Sequence, residues 1–194
     1  MKPGFRRVLA TAALAATLAA PALADQAEPQ RVDRALEGWK VRNFNLVDQH
    51  GNVFTQEHLK DRWTFLLLGD TCCTDPCLAA LSALAGMRQR IAGTKVVKMT
   101  RVLFVSLDPQ RDSPEKLRQY LAPFDPHFIG ASGSRENLAR LVEDLRPPGS
   151  PSDTHERLGS LWLIGPDRYV RGEFLPPYDV LQLTARFLKT RIGR

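Results

Sequence analysis

The chain has 194 residues, of which 43% are hydrophobic and 25% are charged, and these values are ordinary for a single globular domain. No apolar run reaches the roughly 18 to 20 residues of a membrane-spanning helix, and the composition excludes collagen-like, disordered and coiled-coil chains. Two features need an explanation: a formal net charge of +6 and an odd count of three cysteines.

The N-terminus has the three parts of a secretory signal peptide. A basic region with three cations precedes an apolar stretch over residues 8–20, and an A-x-A cleavage signal ends at Ala24. Because the segment holds no acidic residue, its removal lowers the net charge from +6 to +3. That charge is too mild to indicate a nucleic-acid partner.

We therefore predict three regions: a signal peptide over residues 1–24, a flexible leader over residues 25–38 and one folded domain over residues 39–194. The mature protein is expected to be exported to the periplasm without a membrane span. An uncleaved apolar segment would instead anchor it to the membrane.

Strand-like and helix-like segments alternate along the folded domain. Apolar runs predict buried strands, and apolar residues at steps of three and four predict helices. In chain order we predict a hairpin over residues 44–54, a strand over 64–68, a helix through 81–91, a strand over 102–105, a helix opened by Ser113-Pro114, a short strand at 128–129, a helix capped by Ser134, a hairpin over 161–174 and a helix through 181–192. This order predicts an α/β fold with a mixed central sheet and an N-terminal β-hairpin.

The cysteines lie where the first core strand passes into a helix, which is where open α/β sheets place their sites. Asp75 is the expected N-cap and Pro76 the first helical residue, so Cys77 falls in the first turn and continues an apolar stripe, half-buried. Cys73 lies in the preceding loop, nearer to solvent. Their spacing allows both sulfurs to converge, as a disulfide or around a soft metal. We predict that Cys72 points away from Cys73; the alternative is that it acts as a fourth ligand or as a resolving thiol.

Local charge separates the redox and metal interpretations in part. Asp70 and Asp75 flank the thiols, and no basic residue lies within the cluster. Carboxylates raise the pKa of a nearby thiol, which disfavours a fast nucleophile, whereas a bound cation deprotonates the thiols and is attracted by the acids. The sequence therefore modestly favours metal binding.

A metal site needs a third ligand, and the chain has four histidines. His50 lies in a hairpin turn, His58 on a polar face and His127 at a strand entrance, all typical of solvated residues. His155 differs because it ends a Pro/Gly/Ser loop just before a hairpin strand, where a loop can deliver a ligand.

The chain resembles the Sco/SenC family, thioredoxin-fold copper-delivery proteins of cytochrome c oxidase assembly. The motif over residues 69–77 reads Gly-x-Thr-x-Cys-x-x-x-Cys, residues 106–114 are close to the family's S-x-D-P-x-R-D-T-P, and residues 124–130 and 155–167 also match. The resemblance implies a thioredoxin-like fold and copper ligation by Cys73, Cys77 and His155, a donor set suited to Cu(I) and able to hold Cu(II).

The resemblance also implies a partner, either an oxidase subunit that carries a copper site or another periplasmic copper or thiol protein. The chain would donate metal to this partner, reduce its cysteines, or do both. The alternative is a thiol–disulfide oxidoreductase in which Cys73 and Cys77 form the redox-active pair without a copper role. A peroxidase has weak support from Thr74-x-x-Cys77, and a classical enzyme is not expected.

Overall fold

The computed structural model describes residues 38–147 and 159–192. The predicted signal peptide and nearly all of the predicted leader lie outside the described residues, and so does His155. Within them the strands are β1 (Asn45–Asp48), β2 (Val53–Thr55), β3 (Trp63–Gly69), β4 (Thr100–Ser106), β5 (Ile129–Ser132), β6 (Leu161–Ile164) and β7 (Val170–Phe174). The helices are α1 (Asp75–Arg90), α2 (Lys95–Lys98), α3 (Pro114–Leu121), α4 (Arg135–Leu145) and α5 (Val180–Ile192), with a 3₁₀ helix over Gln56–Leu59.

The described strands form one mixed sheet in the order β2-β1-β5-β4-β3-β6-β7. Strands β3, β4 and β5 are parallel, and the hairpins β1–β2 and β6–β7 extend the sheet with antiparallel pairs. Every residue of β3 is buried, because separate apolar clusters cover the two faces of the sheet. The predicted α/β class, mixed sheet and N-terminal hairpin are confirmed.

The parallel register defines two ends of the molecule. Gly69 pairs with Ser106 where β3 and β4 finish, and the cysteine loop follows directly, so we call this the cysteine end. Trp63 pairs with Thr100 where the same strands begin, which we call the amino end. In the part of the chain that the structure describes, no helix has the length and apolar character needed to cross a membrane.

Two short helices were not expected from the sequence. The 3₁₀ helix begins after Thr55, whose hydroxyl accepts from the backbone of Glu57, and α2 begins after Thr94, whose hydroxyl accepts from Val96. Each has only four residues, which is too short for an apolar period to show.

Candidate functional site

Cys73 and Cys77 form a disulfide across the start of α1, with Cα atoms 5.8 Å apart. The sulfurs thus converge, as the spacing led us to expect. Cys77 is 0% exposed, whereas Cys73 lies partly buried in the loop and Cys72 is an exposed free thiol. Of the paired sulfurs, the one nearer to solvent is therefore that of Cys73.

The helix start differs from the prediction in two respects. Thr74, and not Asp75, is the N-cap, and no side chain accepts a hydrogen bond at this cap. Asp75 is instead the first helical residue, which moves Cys77 one position deeper into the helix. Cys77 is fully buried, not half-buried, because its sulfur packs into the core at the end of β3.

Gly69 makes the space for that sulfur. A Cβ atom at this position would lie 2.8 Å from Sγ of Cys77 and 2.9 Å from Cε2 of Phe104, both closer than real Cβ contacts. The last residue of β3 must therefore lack a side chain if the disulfide is to sit against the sheet.

We expect Gly69→Ala to lower the free energy of unfolding by about 1–3 kcal/mol, the usual cost of overpacking a core. Chemical denaturation of the oxidised protein would measure this. In a Cys77→Ala background the sulfur is gone, so the same substitution should cost less, and a double-mutant cycle gives the difference. Equal costs in both backgrounds would mean that Gly69 has another role.

Asp112 ties the cysteine loop to the end of the neighbouring strand. Its carboxylate accepts from the Thr71 backbone at 2.8 Å, the Thr71 hydroxyl at 2.6 Å and the Ser106 hydroxyl at 2.6 Å. Lys116 Nζ lies 3.4 Å from the same carboxylate. Burial raises the pKa of Asp112, but these hydrogen bonds outweigh it and hold the pKa below its ordinary value. Asp112 is therefore a charged anchor for the loop.

Two further contacts fix the loop backbone. The Asp70 carboxylate accepts from the backbone N–H of Cys72 at 2.7 Å, and the Tyr120 hydroxyl donates to the carbonyl of Cys73 at 3.3 Å. Burial, together with the charges of Asp70 and Asp112, raises the pKa of Tyr120, so its hydroxyl stays protonated as a donor. The acids beside the thiols thus also shape the loop.

Arg111 brings a positive charge to the cluster that sequence reasoning missed. Its Nη1 lies 3.6 Å from Sγ of Cys72, although 39 positions separate the two residues. Asp108, and then the sulfur of Cys72, raise the pKa of Arg111. The motif over residues 106–114 could have indicated this proximity. It follows β4, and the segment that follows β4 must lie beside the cysteine loop that follows the parallel neighbour β3.

Three histidines are exposed, as predicted, and the imidazoles of two of them form hydrogen bonds with residues close in sequence. Nδ1 of His58 accepts from the Thr55 backbone at 3.0 Å, and His127 lies 2.9 Å from the Asp125 carboxylate. His50 follows β1 in the hairpin turn. Among the described residues no three of the types His, Cys, Asp and Glu group as a metal site. A third ligand for the cysteine pair is thus not found within those ranges.

The described chain resumes at Gly159, which lies against the first turn of α1. A Cβ atom on Gly159 would be 2.5 Å from Cβ of Pro76, the neighbour of Cys77. The Gly159 N–H points to the Leu68 carbonyl, with N and O 3.4 Å apart, and the hydroxyl of the half-buried Tyr178 donates to the Gly159 carbonyl. The first described residue after this gap therefore lies next to the disulfide.

Comparisons with known proteins identify the family and the fold. A family model described as SCO1/SenC matches residues 33–186. The chain is 34% identical over 89% of its length to a candidate copper-binding protein of Stutzerimonas stutzeri, of which it spans 88%. It is 29% identical over 74% of its length to the mitochondrial SCO2 homolog of Bos taurus, of which it spans 57%. Copper-bound ScoI of Arabidopsis thaliana has a TM-score of 0.69 and 26% identity, over 80% of this chain and 100% of that one. The likeness confirms the thioredoxin-like fold.

Proposed function

The chain belongs to the SCO1/SenC family, and from that premise we propose that it carries copper for the assembly of a cytochrome c oxidase. The reduced Cys73 and Cys77 thiolates, with His155, would hold the ion as cargo. The observation that carries this proposal is the convergence of two cysteine sulfurs at the start of α1 in a chain of this family.

The donor set suits copper. Thiolate sulfur favours Cu(I), and an added imidazole allows the same site to accept Cu(II). Asp70 and Asp75 add negative charge close to the sulfurs, which attracts a cation. The disulfide must first be reduced, because only the two thiolates can act as ligands.

The position of Gly159 supports His155 as the third ligand. Four residues span at most about 14 Å, so the chain is long enough to bring the imidazole from Gly159 to the cysteine loop. Pro76, which Gly159 contacts, directly precedes Cys77. A ligand on a loop also leaves the ion open to exchange with a partner.

An anaerobic titration of the reduced protein against a Cu(I) chelator tests the proposal. We expect a single Cu(I) per chain. His155→Ala should weaken binding by at least about 10–100-fold, because removal of a residue that only orients a metal ligand already costs that much. His127→Ala is the matched control, because His127 is exposed and bonded to Asp125, and it should leave the affinity unchanged. Equal affinities of both variants and the wild type would exclude His155 as a ligand.

The disulfide favours a second candidate function, reduction of a partner's cysteines. The Cys73 thiolate would attack a partner disulfide and release one partner thiolate, and Cys77 would then attack Cys73 to release the other. Two electrons pass to the partner, and the Cys73–Cys77 disulfide forms. Cys73 is the attacking residue in this proposal because Cys77 is fully buried.

Trapping of the mixed disulfide tests this order. The test uses a Cys72→Ser background, which removes the exposed competing thiol, and an aromatic disulfide as the reagent. A chain with Cys77→Ala should accumulate the mixed disulfide between Cys73 and one half of the reagent. A chain with Cys73→Ala should react much more slowly, since the remaining thiol is buried. Equal rates for the two chains would rule out the order, and absence of exchange in either would rule out the function.

Export to the periplasm and an oxidase subunit with a copper site as the partner belong to the same proposal. The signal-peptide pattern over residues 1–24 supports the location. Family membership supports the partner.

A further inference from the structure

The amino end of the sheet carries a cluster of positive charge. A cavity of about 550 Å³ opens there, at the starts of β3, β4 and β5, and Arg62, Lys98, Arg101, His50 and His127 are among the residues that line it. Both residues Arg62 and Lys98 are exposed, and their side chains form no hydrogen bond or ion pair with any described residue.

Two acids near this cavity already have hydrogen-bonding partners. Asp48 accepts from the backbone of His50 and Asn52 within its own turn, and Asp125 pairs with Arg88 at 2.8 Å. Burial lowers the pKa of Arg101, and repulsion by the nearby charge of Arg62 lowers it further. An anionic ligand would relieve this repulsion.

A second basic cleft, of about 520 Å³, lies at the same end on the other face of the sheet. Lys40, Arg140 and Arg168 are among its lining residues, and Arg168 pairs with Glu57. Lys40 and Arg140 have no ion pair with a described residue. Strand pairing places this cleft at the amino end. Thr64, near the start of β3, pairs with Ile164, and Ile164 pairs with Val170, the first residue of β7. Lys40 forms a β-bridge with Tyr169, the residue before Val170, so it lies at the same end.

The cysteine end has the opposite character. Asp70, Asp75, Asp108 and Asp112 gather there, with Arg111 and Lys116 as the cations that contact them. Charge is therefore distributed unevenly along the strand direction of the described domain. Basic residues gather at the amino end, and the disulfide lies at the opposite end.

We propose that the amino end docks on the anionic headgroups of a lipid bilayer. Clefts on both faces of the sheet present cations across the whole end, which fits an extended surface of phosphates. Gly38, the first described residue, also lies at this end, against the carbonyl of Val170, and the chain that precedes it in sequence includes the apolar residues 8–20. Docking would direct the cysteine end away from the bilayer, where a partner can reach it. This inference does not depend on copper binding.

Vesicle partitioning of the full chain tests the proposal. The measured quantity is the ratio of partition coefficients for phosphatidylglycerol-containing and pure phosphatidylcholine vesicles, since the neutral vesicles report the contribution of the apolar segment. We expect Arg62→Gln with Lys98→Gln to lower this ratio, by on the order of fivefold for each charge. Salt near 1 M should remove the preference of the wild type, because the screening length falls to about 3 Å.

The matched control is Arg118→Gln with Arg135→Gln, which removes the same charge from exposed positions on α3 and α4, toward the cysteine end. It should leave the ratio almost unchanged. An equal loss in both pairs of variants would show that only net charge matters and would overturn the proposal, as would a wild-type ratio of one. Saturable binding of inorganic phosphate without a vesicle preference would identify a small-anion site instead and also overturn it.

Discussion

Replacement of Cys73 by serine is expected to lower the Cu(I) affinity of the reduced protein by more than about 100-fold. Loss of a residue that only orients a metal ligand costs about 10–100-fold, and loss of a thiolate ligand must cost more. A hydroxyl is a poor substitute, because it is a hard donor that stays protonated at neutral pH, and Cu(I) prefers soft sulfur. The anaerobic chelator competition measures the change directly.

Cys72→Ser is the matched control for this experiment. The thiol of Cys72 is exposed, adjacent in sequence to Cys73 and 3.6 Å from Arg111. This variant therefore tests whether the loss of another sulfur in the same loop also lowers the Cu(I) affinity. We expect its Cu(I) affinity to equal that of the wild type. A loss in Cys72→Ser as large as that in Cys73→Ser would contradict the ligand pair and would make Cys72 a ligand.

Cys77 needs a different substitution. A serine hydroxyl at this fully buried position would lack a partner, which destabilises a fold by about 1–3 kcal/mol. Cys77→Ala avoids a buried polar group and is the better variant. It should lose copper binding as Cys73→Ser does, and a normal circular dichroism spectrum would separate loss of the ligand from loss of the fold.

Replacement of Asp112 by alanine is expected to cost about 3 kcal/mol or more of unfolding free energy. The carboxylate is 3% exposed and accepts three short hydrogen bonds, and hydrogen bonds to charged groups contribute about 1.5–3 kcal/mol each. Its removal leaves the Thr71 N–H and the Ser106 hydroxyl without an acceptor. Asp112→Asn retains one acceptor oxygen and should cost less than the alanine variant. Chemical denaturation at neutral pH measures both.

The pH dependence gives a second measurement. Because the folded-state pKa of Asp112 is lowered, its contribution is fully present above the unfolded carboxyl pKa of about 3.9 and is lost as pH falls through the folded value. The stability difference between wild type and Asp112→Asn should therefore shrink below about pH 4. Glu115→Gln is the control, since its pair with Arg118 is exposed and screened by solvent and should contribute little to stability. A difference that stays constant at all pH values would show that the Asp112 charge does not hold the loop.

Most secondary structure was predictable because its causes are local. Ser113 and Ser134 cap α3 and α4 as expected, since a hydroxyl followed by an apolar period is a short-range signal. The run over residues 64–68 lies inside β3, because a strand buried on both faces must be apolar throughout. The errors arose where the local signal was weak or misleading, as at the four-residue helices and at the start of α1, where Asp75 was predicted to be the N-cap and Thr74 takes that position.

The sequence by itself determined the α/β class, the family and the pair of cysteines at a strand-to-helix junction, because residue type and spacing encode these features directly. Only the tertiary structure decided which segments surround that pair. Asp112 and Arg111 reach the cysteine loop because β3 and β4 are parallel neighbours that end together, and Gly69 is required because Phe104 and Cys77 meet beside it. The basic amino end likewise gathers residues as distant in sequence as Lys40, Lys98 and Arg140, since side chains far apart along the chain become neighbours only when the sheet brings their strands and helices together.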